Sequence, residues 1–389
     1  MIASASALSN SSGVAFFGAV ENFNFWQIGG VESYLRRLAF QLAEAGKIVD
    51  FVQYGSDTDL VERPFPGISI HRYVLFDKAL EHLAQHASIV LVSSTHRKDR
   101  LNFIKFRKAN DDKIIFYFVA SYWSDSWVRR KCYFLESSIY PYNGGVLCMS
   151  PRLLKASGKL KAELLLPPVP EEYFVEPENK TPNGKITVTY IGRTVYSKGV
   201  DEAIKIFKQL QGESRIQTQV CGYASNDTRE DNSIHEWLTA QSDIKYICEN
   251  NKQWSPSIDE KIIRILKETD ILILPYKSLY ATIDMPLLLL EGMAGNCCII
   301  TTPIGDIPNI YGESSFILPI KDFIPAAVAL IKQAQQSTEV LEKERRRIAN
   351  QLMNLVFDSQ SASKKLLSLL SKTRHTSQGS RNILHRILT

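Results

Sequence analysis

The chain has 389 residues, of which 44% are hydrophobic and 22% charged, with a formal net charge of +5. Domains run about 100 to 200 residues, so this length exceeds one ordinary core and suits two. The charge is too small over such a length to argue for nucleic acid, and no apolar run approaches the roughly 20 residues that cross a bilayer.

The opening Met1-Ile2-Ala3-Ser4-Ala5-Ser6-Ala7-Leu8 lacks a basic start followed by a continuous apolar core, and predicts a polar leader rather than a secretory signal. Residues 13–20 then predict a first strand. Gly29-Gly30 precedes Val31, Tyr34, Leu35, Leu38, Leu42 and Ala45 at helical spacing, and Gly46 supplies a stop. Two glycines before a helix let backbone N–H groups approach a phosphate closely, although an ordinary capped turn has the same pattern. Further strands are predicted over 49–52, 68–74, 89–92, 114–119 and 146–149. Strands alternating with helical patterns predict a parallel sheet covered on both faces.

His96 follows the fourth of these strands. The segment after 114–119 is aromatic and basic, with Tyr122, Trp123, Trp127, Arg129, Arg130 and Lys131. Aromatic faces stack on sugar rings and the cations suit an anionic glycan or lipid phosphate; core packing beside a solvated turn is the other reading. Pro167, Pro168, Pro170, Pro177 and Pro182 mark a linker.

A second alternation begins at Lys185. Strands are predicted to residue 191 and over 216–220, 271–274, 298–301 and 316–319, with helices over 198–210, 234–240, 262–266 and 286–294. The expected domains are 1–172, 173–360 and a basic helical tail, 361–389. The tail has no acid beyond Asp358 but carries Lys364, Lys365, Lys372, Arg374, Arg381 and Arg386 with leucines between them. Such a pattern suits either anionic lipid headgroups or plain solvation. The six cysteines, Cys132, Cys148, Cys221, Cys248, Cys297 and Cys298, form no Cys-x-x-Cys pair, which favours buried thiols in a reducing, cytoplasmic setting.

Two segments carry chemistry. In Tyr190-Ile191-Gly192-Arg193-Thr194-Val195-Tyr196-Ser197-Lys198-Gly199, a β-like run ends in glycine and presents two cations that suit a diphosphate. The alternative is that Arg193 pairs with a nearby carboxylate and Lys198 merely sits in a helix's first turn, where a cation is unfavourable. In Asp284-Met285-Pro286-Leu287-Leu288-Leu289-Leu290-Glu291-Gly292-Met293-Ala294, Asp284 stands where it would cap a helix, and Glu291 lies on an otherwise apolar helix and needs a partner.

These segments, with the Gly29-Gly30 loop and Thr301-Thr302-Pro303-Ile304-Gly305-Asp306-Ile307-Pro308-Asn309, resemble the retaining glycosyltransferases of family four, the glycosyl transferases group 1 type. The resemblance implies a GT-B architecture: two Rossmann-like doubly wound domains facing a central cleft, acceptor domain first, nucleotide-sugar domain second. It implies catalytic roles for Arg193, Lys198 and Asp284. The donor would be held by Gly29, Gly30, Gly192, Arg193, Lys198, Asp284, Met285, Leu287, Leu288 and Glu291, with Glu291 on the ribose and Asp284 on the sugar. The acceptor side is assigned to His96, Tyr122, Trp123, Trp127 and Arg129.

The chain departs from the family pattern in three places. The usual pair of glutamates is replaced by Asp284 and Glu291, one position closer. Ala120-Ser121 stand where many relatives have a histidine, and Asp306 and Asn309 replace the usual glycine and glutamate. The sequence shows neither an Asp-x-Asp motif nor a Cys/His ligand cluster, so no metal and no cofactor is expected beside the donor. The expected function is a retaining, metal-independent transfer of a hexose from a UDP- or GDP-sugar to a glycan or lipid-linked acceptor. The setting would be cell-surface polysaccharide, lipopolysaccharide or glycolipid synthesis, in the cytoplasm or at its membrane face. A catalytically inactive glycan-binding or scaffolding protein of the same fold is the alternative. A nicotinamide dehydrogenase is disfavoured because neither half has Gly-x-Gly-x-x-Gly after its first strand.

Overall fold

Buried apolar runs become the central strands of two sheets, the first largely and the second wholly parallel. The computed structural model describes residues 13–93, 95–96, 98–121, 137, 139–176, 184–223, 228–249, 253–279, 282–355 and 361–371. Contacts divide these into two units. The first holds the described residues of Met1–Phe25, Val31–Pro168 and Gln360–Thr389, the second those of Trp26–Gly30 and Val169–Ser359.

The first unit contains β1 (Val14–Ala19), β2 (Val49–Tyr54), β3 (Leu60–Phe65), β4 (Ile68–Tyr73), β5 (Ser88–Leu91), β6 (Ile114–Val119), β7 (Gly145–Cys148) and β8 (Ala162–Leu164). They form one sheet in the order β3-β4-β2-β1-β5-β6-β7-β8. Every pairing is parallel except β3 with β4. β1, β2, β5, β6 and β7 are buried along their whole length, as a sheet covered on both faces requires. Helix Gly30–Glu44 buries Tyr34, Leu35, Leu38, Ala39 and Leu42, and Gly46 beyond it takes φ 76°. Helix 361–371 belongs to this unit; it buries Ala362, Leu366 and Leu370 at four-residue spacing, and Lys365 reaches Glu163 at 2.8 Å. Those leucines are therefore used within the unit rather than offered to lipid.

The second unit contains β9 (Ile186–Arg193), β10 (Ile216–Tyr223), β11 (Ile244–Glu249), β12 (Ile271–Leu274) and β13 (Cys298–Thr301), all parallel, in the order β11-β10-β9-β12-β13. Two buried side chains lock its framework: Asp270 accepts from Thr187 N at 2.9 Å and from Arg345 of helix Glu339–Asn354 at 2.6 Å. Among the described residues no two cysteines form a disulfide, and four of the five are buried.

Four readings of the sequence need correction. β3, β8 and β11 were not anticipated, because all three are edge strands whose partly exposed positions break the apolar signal. Residues 316–319 form only the isolated bridge Thr301↔Ile317, cut short by Pro319. The helix expected from residue 198 begins at Val200 instead: Tyr196–Lys198 form a separate 3-10 turn, and Gly199, at φ 79°, breaks the helical path between them. Pro286, not Asp284, occupies the cap position of helix Leu287–Ala294.

Candidate functional site

Strand order in the second sheet runs outward in both directions from β9 and β12. Neighbouring crossovers therefore leave on opposite faces there, opening a crevice at the carboxyl ends of these two strands. Gly192 and Arg193 end β9, while Pro275, Tyr276 and Lys277 follow β12. The turn that carries Lys198 is seated on this second exit. A Cβ on Gly199 would lie 2.0 Å from the Pro275 carbonyl oxygen, so only glycine allows the approach.

Arg193 is exposed and Lys198 half-buried. The acids nearest in sequence, Asp201 and Glu202, are engaged elsewhere: Lys277 Nζ lies 2.8 Å from Asp201 Oδ1 and 3.0 Å from Glu202 Oε2. Among the described residues no carboxylate pairs with Arg193 or Lys198. Burial first, and then the Arg193 guanidinium, pull the Lys198 ammonium down from 10.5 to about 7. Its Nζ sits 5.5 Å from the centre of the Tyr276 ring, a contact that favours the charged form.

Glu291 reaches the same neighbourhood from helix Leu287–Ala294, at 6% exposure. The helix lies close on its sheet because Gly292 faces Leu272 and Ile299, where a Cβ would stand 2.7 Å from Leu272 Cδ2. Burial, and after it the charge of Glu291, raises the Tyr276 hydroxyl; burial, Cys221 and then Glu291 do the same for Tyr223. Tyr223 ends β10 in register with Arg193, so Arg193, Lys198, Tyr223, Tyr276 and Glu291 form one group.

Asp284 is fully buried, and its backbone oxygen accepts from Asp306 N at 3.1 Å. Asn309 Nδ2 donates to Asp306 Oδ1 at 2.5 Å, so the late loop that departs from the family pattern packs on the acidic segment. Met285 and Leu287 are buried and Leu288 half-buried. The N–H groups of Leu287 and Leu288, in the first turn of their helix, suit an anion, with the helix dipole behind them. Gly30 reaches this segment too: a Cβ there would lie 2.8 Å from Ile283 Cδ1. The stretch Trp26–Gly30 is docked into the second unit by the Gln27↔Gln253 bridge and by Trp254 N donating to Trp26 O at 2.6 Å. Gly29 lies in that stretch.

His96 lies beyond the carboxyl end of β5, at the first sheet's own switch point between β1 and β5. Its Nε2 is 2.8 Å from Glu21 Oε1, its backbone N–H donates to Tyr54 Oη at 3.1 Å, and its Nδ1 is 3.9 Å from Asp99. Tyr122, Trp123, Trp127 and Arg129 lie outside the described residues.

Tyr276, Tyr223 and Lys277 escaped the sequence reading. Their signal was position alone, at or just past the carboxyl end of an apolar run. The sequence reading also did not single out Asp50, His82 and His86, whose ligand atoms lie within 4.8 Å of one another; the two histidines are four residues apart, and Asp50 is distant from them in sequence.

Residues 185–335 match the family model for glycosyl transferases group 1. Sucrose-phosphate synthase from Thermosynechococcus elongatus is similar over 93% of this chain and 98% of its own, at 16% identity and TM-score 0.63. HepE from Anabaena, in complex with UDP and glucose, matches over 93% and 100%, at 12% identity and TM-score 0.66. A UDP-forming α,α-trehalose-phosphate synthase from Burkholderia vietnamiensis matches over 93% and 100%, at 12% identity and TM-score 0.63. The chain has the GT-B fold, and residues 185–335 are similar to the glycosyl transferases group 1 family. The matched segment contains Arg193, Lys198, Tyr276, Asp284 and Glu291; Gly29, Gly30 and His96 precede it. No curated protein matches the sequence. No helix among the described residues is long and apolar enough to cross a membrane.

Proposed function

We propose that this protein is a retaining glycosyltransferase that moves a hexose from a UDP- or GDP-sugar to a glycan or lipid-linked acceptor. One observation carries the reading. Arg193 and Lys198 stand together at the sheet's switch point with no carboxylate of the described residues on either, while Lys277 engages the two acids nearest in sequence. Holding two cations side by side without counter-ions is costly, and a diphosphate removes that cost.

As the bond between the anomeric carbon and the phosphate oxygen breaks, negative charge grows on the leaving diphosphate. Arg193 donates its two-pronged fork to that group and Lys198 adds a point charge, each contact contributing about 3 kcal/mol to the transition state. The N-terminus of helix Leu287–Ala294 adds backbone donors. Glu291 accepts from the ribose hydroxyls, and Asp284 orients the sugar. The departing phosphate oxygen takes the acceptor's proton on the same face of the sugar, so retention needs no strong protein base. With two side-chain cations at the leaving group, transfer proceeds without a divalent ion there. His96, held by Glu21, is the described residue offered to the acceptor. Support for a nucleotide sugar comes from the family match and from HepE, whose structures hold UDP, glucose and UDP-glucose.

The test is a panel of nucleotide sugars, read by release of free nucleoside diphosphate and by transfer to glycan and lipid-linked acceptors. Arg193→Ala and Lys198→Ala should each lower turnover by well over tenfold with unchanged circular dichroism. Near-normal transfer in either variant removes the clamp. No nucleoside diphosphate from any donor leaves a glycan-binding or scaffolding protein.

A further inference from the structure

We propose that Asp50, His82 and His86 bind a divalent cation of the zinc class in the first unit. Asp50 Oδ2 lies 3.1 Å from His86 Nε2 and 3.4 Å from His82 Nε2, and the two imidazole nitrogens are 3.3 Å apart. Metal–ligand bonds of about 2.0–2.1 Å at tetrahedral angles place neighbouring donor atoms about 3.3 Å apart. The three atoms thus already form one face of a zinc tetrahedron, with the fourth position left to solvent.

Hydrogen bonding alone accounts poorly for this triangle. If both imidazoles donate from Nε2 to the carboxylate, their N–H groups face each other across 3.3 Å; if only His86 donates, the His82 Nε2 lone pair faces Asp50 Oδ2 at 3.4 Å. A cation at the centre removes the conflict, because all three atoms then present lone pairs. The surroundings fit a ligand set. Tyr73 Oη stands 3.1 Å from the other ring nitrogen of His82, the outer contact that fixes the tautomer of a ligating histidine. Lys113 Nζ donates to the Ala84 and His86 carbonyls at 2.6 Å and 3.0 Å and fixes the turn carrying His86. Asp50 and His86 are buried, at 8% and 7% exposure. His71 stands beside the group, its Nε2 3.8 Å from Asp50 Oδ1, without joining the triangle.

The position indicates the role. Asp50 is the second residue of β2, and His86 stands two positions before β5, so the site lies at the amino ends of these strands, away from the edge that carries His96. A cation there ties β2 to helix Phe76–Leu83 and acts on stability rather than on transfer.

The experiment uses the full chain without a polyhistidine tag, titrated with zinc against a chromophoric chelator and with cobalt(II) by absorption. The expected result is one zinc per chain, a higher Tm, and the intense visible bands of tetrahedral cobalt. Asp50→Asn, His82→Gln and His86→Gln should each weaken zinc at least about tenfold, whereas His71→Asn stays within about threefold. Absence of stoichiometric zinc, a weak octahedral cobalt spectrum, or an equal loss in His71→Asn overturns the assignment. Should a ligand variant fail to fold, the wild-type cobalt spectrum still decides.

Discussion

Lys198 links the site's geometry to a measurable pH dependence. Its ammonium titrates at about 7 without ligand, because burial and Arg193 disfavour the charge. A diphosphate reverses the second cause. At about 4 Å and an effective dielectric constant of about 20, one opposite charge contributes about 4 kcal/mol, which raises the amine by about three units, to about 10 in the complex. Above pH 7 the free protein is mostly neutral at Lys198 while the complex is charged, so binding takes up a proton and weakens as pH rises. The expected loss of affinity for the best-binding nucleotide sugar is about fifteenfold between pH 7 and pH 8.5, against about twofold between pH 6 and pH 7. Isothermal titration calorimetry in two buffers of different ionisation enthalpy measures both the affinity and the proton uptake. Lys198→Arg stays charged throughout and should flatten the profile; Lys198→Met should be flat and weak. A flat wild-type profile, or an arginine variant with the wild-type slope, refutes the clamp as described.

Three more outcomes follow from the packing around the site. Gly199→Ala places a methyl group against the Pro275 carbonyl at a positive φ and should cost about 3 kcal/mol, lowering Tm by about 6–12 °C in a thermal melt. Arg345→Met strands the buried Asp270 carboxylate and should cost about 3–5 kcal/mol in denaturant unfolding. Glu291→Gln should weaken nucleotide-sugar binding about tenfold or more by calorimetry, and unchanged affinity would show that Glu291 does not hold the ribose.

Much of the fold could be read from apolar runs, because a strand buried on both faces must be apolar at nearly every position. Val14–Ala19, Ile114–Val119 and Ile271–Leu274 are such strands, and each appears where the sequence placed it. The three missed strands, β3, β8 and β11, sit at sheet edges. Leu60 and Val61 of β3 are 41% and 54% exposed, and Glu62, Arg63 and Pro64 follow them, residues that an edge tolerates and a central strand does not. In β11, Lys245 and Glu249 dilute the pattern for the same reason.

The sequence by itself determined two alternating α/β units, the cation pair Arg193 and Lys198, and the acids Asp284 and Glu291, because these rest on local periodicity and short spacing. Tertiary structure alone decided which charges keep counter-ions. Lys277 takes Asp201 and Glu202 from across the sheet, 76 residues along the chain from Asp201, and so leaves Lys198 to Arg193 and the Tyr276 ring. It also decided that Asp50, His82 and His86 converge. A carboxylate near the start of β2 shares no spacing rule with two imidazoles four residues apart, one on helix Phe76–Leu83 and one just before β5, and only the packing of that helix and of β5 into the sheet that holds β2 brings them together.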